Sequence, residues 1–146
     1  MVEFTAPGTQ TVKPGGVVQF TEASIVGWTP AIHRDGSGVV TLPSLGCGCS
    51  NTGYKVTFGG NIAFPATPPT GEAAATAPLS LAFAIAGEPD ATTEMLASPA
   101  AADTFENVNR SAIVSTVGGC CASVSIENTS NGTITVENAS LIVEGV

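Results

Sequence analysis

Four cysteines, one histidine and twelve carboxylates are the side chains of this chain with the most chemistry to offer. The cysteines come as two close pairs, Cys47-Gly48-Cys49 in a glycine-rich stretch and Cys120-Cys121 directly after Gly118-Gly119. Neighbouring cysteines seldom bridge to each other without strain, so disulfides from one loop to the other, or between subunits, are the expected pairings. Two such bonds would suit an oxidising final environment and typically stabilise a domain by about 2–4 kcal/mol each. A four-thiolate zinc site competes with this reading. Zinc sites usually place two to four residues between paired cysteines so that both sulfurs turn inward, and spacings of one and zero fit that badly. Free, buried or partly oxidised thiols are the third alternative.

His33, followed by Arg34 and Asp35, would need partners to act as a general base or a metal ligand. The chain has no second histidine and no serine in a nucleophile-elbow context, so a catalytic constellation has nothing to assemble from. His33 is therefore expected to position a turn or to lie at a subunit interface, and Asp35 to shape the turn with its side chain. Asp90, Glu94, Asp103 and Glu106 fall between predicted strands without the Asp-x-Asp-x-Asp-Gly pattern of a calcium loop, and read as a solvated rim. Trp28, just before Pro30, is the one candidate for an exposed aromatic ligand contact, with core or interface packing as its alternative. Asn109, Asn128, Asn131 and Asn138 open glycosylation sequons of the kind that arise by chance in a Ser/Thr/Asn-rich chain. No residue is assigned to catalysis, a cofactor or a metal, and the expectation is a protein that is not an enzyme.

The elements that must position these residues follow from composition and period. A chain of 146 residues fits one domain, which buries roughly two thirds of the surface its unfolded form exposes. Only 11% of the residues are charged, against roughly 25% in an average soluble domain, so the surface must be mostly Ser, Thr, Asn, Gly and Ala. The formal charge of −8 repels phosphate backbones and argues against DNA or RNA as a partner. No apolar run approaches the roughly 20 residues of a membrane span. Met1 to Pro7 lack a basic segment and an apolar segment, so a secretion signal either was removed or is replaced by another exit, such as phage lysis or sporulation.

Alternation with a period of two dominates the chain. Tyr54, Val56, Phe58, Ile62 and Phe64 alternate with Lys55, Thr57, Asn61 and Ala63, which predicts a long strand with one buried face. Gly59-Gly60 inside it predicts a bulge or a close backbone approach. Leu79 to Ala86 predicts a second long strand, whose small face of Ser80, Ala82, Ala84 and Ala86 is either a solvent face or a flat surface for another subunit, with Ala82, Ala84 and Ala86 as the interface candidates. Shorter strands are expected over Gly16 to Phe20, Gly38 to Leu42, Ala112 to Val117, Ala122 to Glu127, Thr133 to Val136 and Ala139 to Val143. The turn formers Asp35-Gly36, Asn51-Thr52-Gly53, Gly118-Gly119 and Asn131-Gly132 punctuate them. Short strands so spaced indicate an all-β sandwich or barrel of eight to ten strands. Residues 65–78, with four prolines, form a long loop expected to cap one end, and residues 1–8 are expected to be a flexible arm before a single domain over 9–146.

The order of these pieces resembles the bacterial and phage branch of the complement/tumour-necrosis-factor-like jelly rolls. That branch includes the C-terminal domains of collagen-like exosporium glycoproteins. The resemblance is carried by Gln10-Thr11-Val12-Lys13-Pro14-Gly15-Gly16-Val17-Val18-Gln19-Phe20, by Ile32-His33-Arg34-Asp35-Gly36-Ser37-Gly38 and its continuation to Leu42, by Gly53 to Phe58, by Ala84 to Pro89, and by Ala139 to Val143. The turn at His33 and the Gly-Cys-Cys element are similar to those of surface proteins from gut Firmicutes and their phages. The resemblance implies a jelly roll that forms a compact homotrimer displayed on a particle or cell surface, without catalytic residues. It departs from exosporium filaments in lacking a Gly-X-Y repeat. The expected function is a trimeric phage capsid decoration or head-fibre protein on the virion surface, attached to the capsid through residues 1–8. A bacterial cell-surface or spore-appendage subunit, and a receptor- or glycan-binding fibre tip, are the alternatives.

Overall fold

A strand whose side chains alternate between large apolar and small polar must bury one face, and here two antiparallel sheets bury theirs against each other. The computed structural model describes residues 1–26, 31–44, 52–72, 74–116 and 121–146. Among them the strands, in chain order, are β1 (Val2–Val12), β2 (Glu22–Val26), β3 (Ile32–His33), β4 (Val40–Leu42), β5 (Thr52–Ala63), β6 (Leu79–Ile85), β7 (Glu88–Pro89), β8 (Met95–Ala97), β9 (Glu106–Thr116), β10 (Ala122–Asn128) and β11 (Ile134–Gly145). One sheet runs β2-β1-β11-β5-β9, and the other runs β3-β4-β10-β6-β7, with β8 also pairing with β6. The expected all-β sandwich is the fold. The one helical feature among the described residues is a single 3₁₀ turn at Ala91–Thr93, capped by the Asp90 side chain on the Thr92 N–H.

The core lies between the sheets. From the first come Phe4, Tyr54, Val56, Phe58, Ile62, Leu141 and Val143, and from the second Leu42, Leu81, Phe83, Val124 and Ile126, all 4% exposed or less. Phe20 and Val18, which lie outside any strand, are fully buried with them. The segment predicted as a strand from Gly16 to Phe20 joins the second sheet only through single bridges, Val17 to Glu127 and Phe20 to Ser37. Gly38 sits directly beneath it, where a Cβ would strike the Val17 side chain and come within 2.6 Å of the Val18 carbonyl oxygen.

Residues 1–8 are not an arm. They are most of β1, an interior strand hydrogen-bonded to β2 on one side and β11 on the other, with Val2, Phe4 and Ala6 buried. The alternation Val2-Glu3-Phe4-Thr5-Ala6 obeys the same rule as the Tyr54 strand, but Pro7-Gly8 cuts it short. The structure absorbs Pro7-Gly8 as a bulge, because β1 gains one residue on β11 between Ala6 and Thr9. An extra residue leaves one backbone group outside the ladder, which accommodates a proline that has no N–H. A second bulge lies in β11, between Glu137 and Ser140, where it faces β5. Gly8 (φ 88°) and Asn138 (φ 51°) take the left-handed conformations, and the Gly8 N–H donates to Asn138 Oδ1 at 3.4 Å. The two strands predicted at 133–136 and 139–143 are thus one bulged strand.

The bulge expected at Gly59-Gly60 belongs to the partner strand; β5 itself keeps unbroken register with β9. The close approach is real. A Cβ on Gly60 would lie 3.1 Å from Phe58 Cζ and 3.6 Å from the Ala139 Cα, so the Phe58 ring covers Gly60 next to the β11 bulge.

Candidate functional site

His33, singled out in the sequence, ends β3 at the edge of the second sheet. The His33 ring packs 4.7 Å from the Phe4 ring and 6.2 Å, edge-on, from the Phe20 ring. His33 Nε2 lies 2.8 Å from the Ser37 carbonyl, which can only accept, so this nitrogen carries the hydrogen. Nδ1 is buried with no partner among the described residues. The bond spans Asp35-Gly36, and Ser37 N–H to Arg34 O and Gly36 N–H to Phe20 O close the same turn. His33 thus clips a turn onto the sandwich, and among the described residues Nδ1 has no hydrogen-bond partner and belongs to no group of three His, Cys, Asp or Glu side chains.

The small face of β6 lies differently from the expectation. Ala82 and Ala84 are 0% and 1% exposed within the single chain, and Ser80 and Ser125 on the same strands are nearly as covered. A second subunit would find no surface on Ala82 or Ala84. Ala86 alone is exposed, at φ 53° in the β6–β7 turn.

Cys121 is exposed with a free thiol; Trp28, Cys47, Cys49 and Cys120 lie outside the described residues. Cys121 neighbours the Tyr54 phenol, which donates to the Pro43 carbonyl at 2.6 Å. Burial first, and Cys121 second, push that phenol above its ordinary value. The carboxylates are dispersed, and no three His, Cys, Asp or Glu side chains gather as a metal set among the described residues. Asp90 is held below its ordinary value by the Thr92 hydroxyl and N–H, with Arg110 adding a smaller pull.

Two surfaces remain that the fold builds deliberately. The first is the outer face of the five-stranded sheet. Register aligns Glu3, Ile142, Thr57 and Ser111 in one row across β1, β11, β5 and β9, and Thr5, Ser140, Gly59 and Asn109 in the next. Thr57 and Ser111 share a hydroxyl hydrogen bond of 2.8 Å, and Ser140 donates to Glu3 at 2.6 Å. Lys55 and Glu144 pair at 3.8 Å in the row beyond, next to the exposed Ile113. A Cβ on Gly59 would meet open space. The result is a platform whose centre carries small uncharged side chains, with Glu3, Glu22, Glu137 and the Lys55–Glu144 pair around them.

The second is the proline-rich end of the sandwich, where residues 64–72 and 74–78 arch over an apolar pocket of about 240 Å³. No protein-family model matches this chain, and no curated protein does. The residues at this end therefore have to be read from their own geometry.

Asn128, 1% exposed, anchors it. Its amide donates to the carbonyls of Val12 (2.9 Å) and Gly132 (3.0 Å), and its Oδ1 accepts from the Ser130 N–H (2.9 Å). Asn128 opens one of the sequons, yet its side chain is fully committed inside. Ser130 and Thr129 then bond to Ser80 at the start of β6. Asn131 grips the arch by bonding both the Thr76 N–H (2.9 Å) and the Thr76 hydroxyl (2.6 Å). Thr133 donates to Glu72 Oε2 at 2.6 Å, and Lys13 pairs with Glu72 Oε1 at 3.2 Å. Sequence reasoning missed Asn128, Glu72 and Thr133, since a Ser/Thr/Asn/Gly run signals only a turn.

The Thr133 hydroxyl first, and Lys13 second, hold the Glu72 carboxyl below its ordinary value of 4.5. A depressed carboxylate favours the folded state fully above its ordinary value, and that contribution is lost as pH falls through the lowered one. Acid should thus loosen the arch at Glu72. The expected measurement is a side-chain carboxyl carbon titration whose midpoint for Glu72 lies below the ordinary glutamate value of 4.5 and rises toward it in Thr133→Val. An unshifted midpoint in the parent protein would refute it.

Proposed function

We propose that this chain is a non-enzymatic structural protein that self-associates through the outer face of its five-stranded sheet, as a homotrimeric jelly roll displayed on a particle surface. The observation that carries this is the small uncharged centre of that face, Thr57, Ser111, Ser140, Gly59 and Asn109, on a chain whose net charge is −8. Like charges oppose association of identical subunits, and the carboxylates of this face stand around that centre: Glu3 is bonded to Ser140, Glu144 is paired with Lys55, and Glu22 and Glu137 lie at its margin. The jelly-roll reading is supported by connectivity. The chain passes between sheets at β2–β3, β4–β5, β5–β6, β8–β9, β9–β10 and β10–β11, while β1 pairs with β11.

The resemblance of its strand-and-turn segments to phage and spore surface jelly rolls supports a display role, with the phage capsid or head fibre as the preferred place. Attachment through residues 1–8 is not part of this proposal, because those residues are interior to the sheet. Native mass measured by light scattering should be three times the chain mass. Gly59→Arg, which adds bulk and charge to the platform without touching the core, should shift the protein to monomer with its circular dichroism unchanged. A parent protein that is monomeric at micromolar concentration, or a Gly59→Arg variant that stays trimeric, counts against the platform. Mass spectrometry of purified virions that lack the polypeptide counts against the location.

A further inference from the structure

The pocket at the proline-rich end has features that capping alone does not require. Phe64, Pro65, Pro68, Pro69, Ala75 and Ala102 supply its apolar wall. Thr133 is the one polar side chain in the lining, and its hydroxyl is already given to Glu72. The nearby charges, Lys13 and Glu72, neutralise each other at 3.2 Å. An incoming group would find no free side-chain donor and no unpaired charge, only the lone pairs of Thr133 Oγ1, which suits a neutral apolar ligand and disfavours a sugar, most of whose hydroxyls would lose their water unpaired.

The pocket is also held open. Prolines fix the backbone φ of the arch, and three ties hold it at a set distance: Asn131 on Thr76, Thr133 on Glu72, and the Asp103 N–H on the Phe64 carbonyl at 3.0 Å. A preformed pocket spares a ligand the cost of ordering it. Its volume of about 240 Å³ exceeds the roughly 150 Å³ that suffices for benzene and falls short of the roughly 300–1,000 Å³ of sites for drug-sized ligands.

We propose that this pocket is a binding site for a small neutral molecule built on one apolar ring. Four of the residues around it, Ala66, Ala74, Ala75 and Ala102, carry methyl groups that report on occupancy directly. The test uses the full chain with ¹³C-labelled alanine methyls, titrated with toluene, with ethylbenzene and, as the polar control, with N-acetylglucosamine. Saturable shifts confined to these four methyls are expected with the two ring compounds and not with the sugar. Ala102→Trp, at an exposed loop position, should fill the site and weaken binding by about tenfold or more, a factor worth 1.4 kcal/mol, while Ala86→Trp at the opposite end should leave it unchanged. Shifts that fail to saturate, that spread over other alanines, that appear equally with the sugar, or that persist undiminished in Ala102→Trp would each overturn the proposal.

Discussion

Asn128→Ala should lower the unfolding free energy by about 3–5 kcal/mol, the lower part of the sum expected when three buried polar groups lose their partner at roughly 1–3 kcal/mol each. The substitution strands the Val12 carbonyl, the Gly132 carbonyl and the Ser130 N–H, all of which Asn128 satisfies in the folded chain. Its backbone already exchanges bonds with Gly15 and Gly16, so this one residue pins the end of β1, the segment after it and the turn into β11. Asn128→Asp should be no milder. It keeps the acceptor for Ser130 but turns a carboxylate oxygen toward two carbonyls. Urea unfolding at fixed protein concentration measures both: the midpoint falls and the slope stays constant. A loss under about 0.5 kcal/mol, the scale of an ordinary surface change, would show that water replaces the amide freely.

Phe58→Ala carries the second large effect, about 3–5 kcal/mol for removing a fully buried aromatic ring from a core that cannot close behind it. Its neighbour makes the prediction sharper. Gly60→Ala alone should destabilise, because its methyl would press on the Phe58 ring at 3.1 Å. In the Phe58→Ala background that ring is gone and the same methyl fills part of the space. The double variant should therefore be more stable than the two single losses added together, with a coupling of about 0.5–3 kcal/mol. Strict additivity would mean that Phe58 and Gly60 do not share the space between β5 and the β11 bulge.

The sandwich was legible wherever alternation ran unbroken. β5 and β6 stand within a residue or two of their expected bounds because Tyr54 to Ile62 and Leu79 to Ile85 keep strict period two. β1 was hidden by Pro7-Gly8 and β11 was split by Asn138, and both are bulges, in which an extra residue reverses the parity that sequence reasoning depends on. The small face of β6 misled for another reason. Alternation shows that Ala82 and Ala84 point away from Phe83, but not that this side would be covered in the same chain. The candidate site was less legible than the fold. The platform emerges only when register lines up Thr57, Ser111, Ser140 and Asn109 from three strands. The pocket depends on Glu72 reaching Thr133 across 61 positions. His33 was expected to position a turn or to lie at a subunit interface; its ring bonds Ser37 across Asp35-Gly36, and the Phe4 and Phe20 rings beside it come from segments no local pattern connects.

The position of β11 also bears on how the protein is made. It sits between β1 and β5, and its Ser140 meets Glu3 from 137 positions away. On the ribosome β1 and β5 emerge early, and each then presents a bare edge that only the last strand can fill. Bare edges recruit strands from other chains, and such distant pairing is slow. Synthesis of this protein should therefore pass through a long vulnerable stage that ends abruptly when residues 134–145 arrive, and nascent chains stalled before that point should be the ones that aggregate.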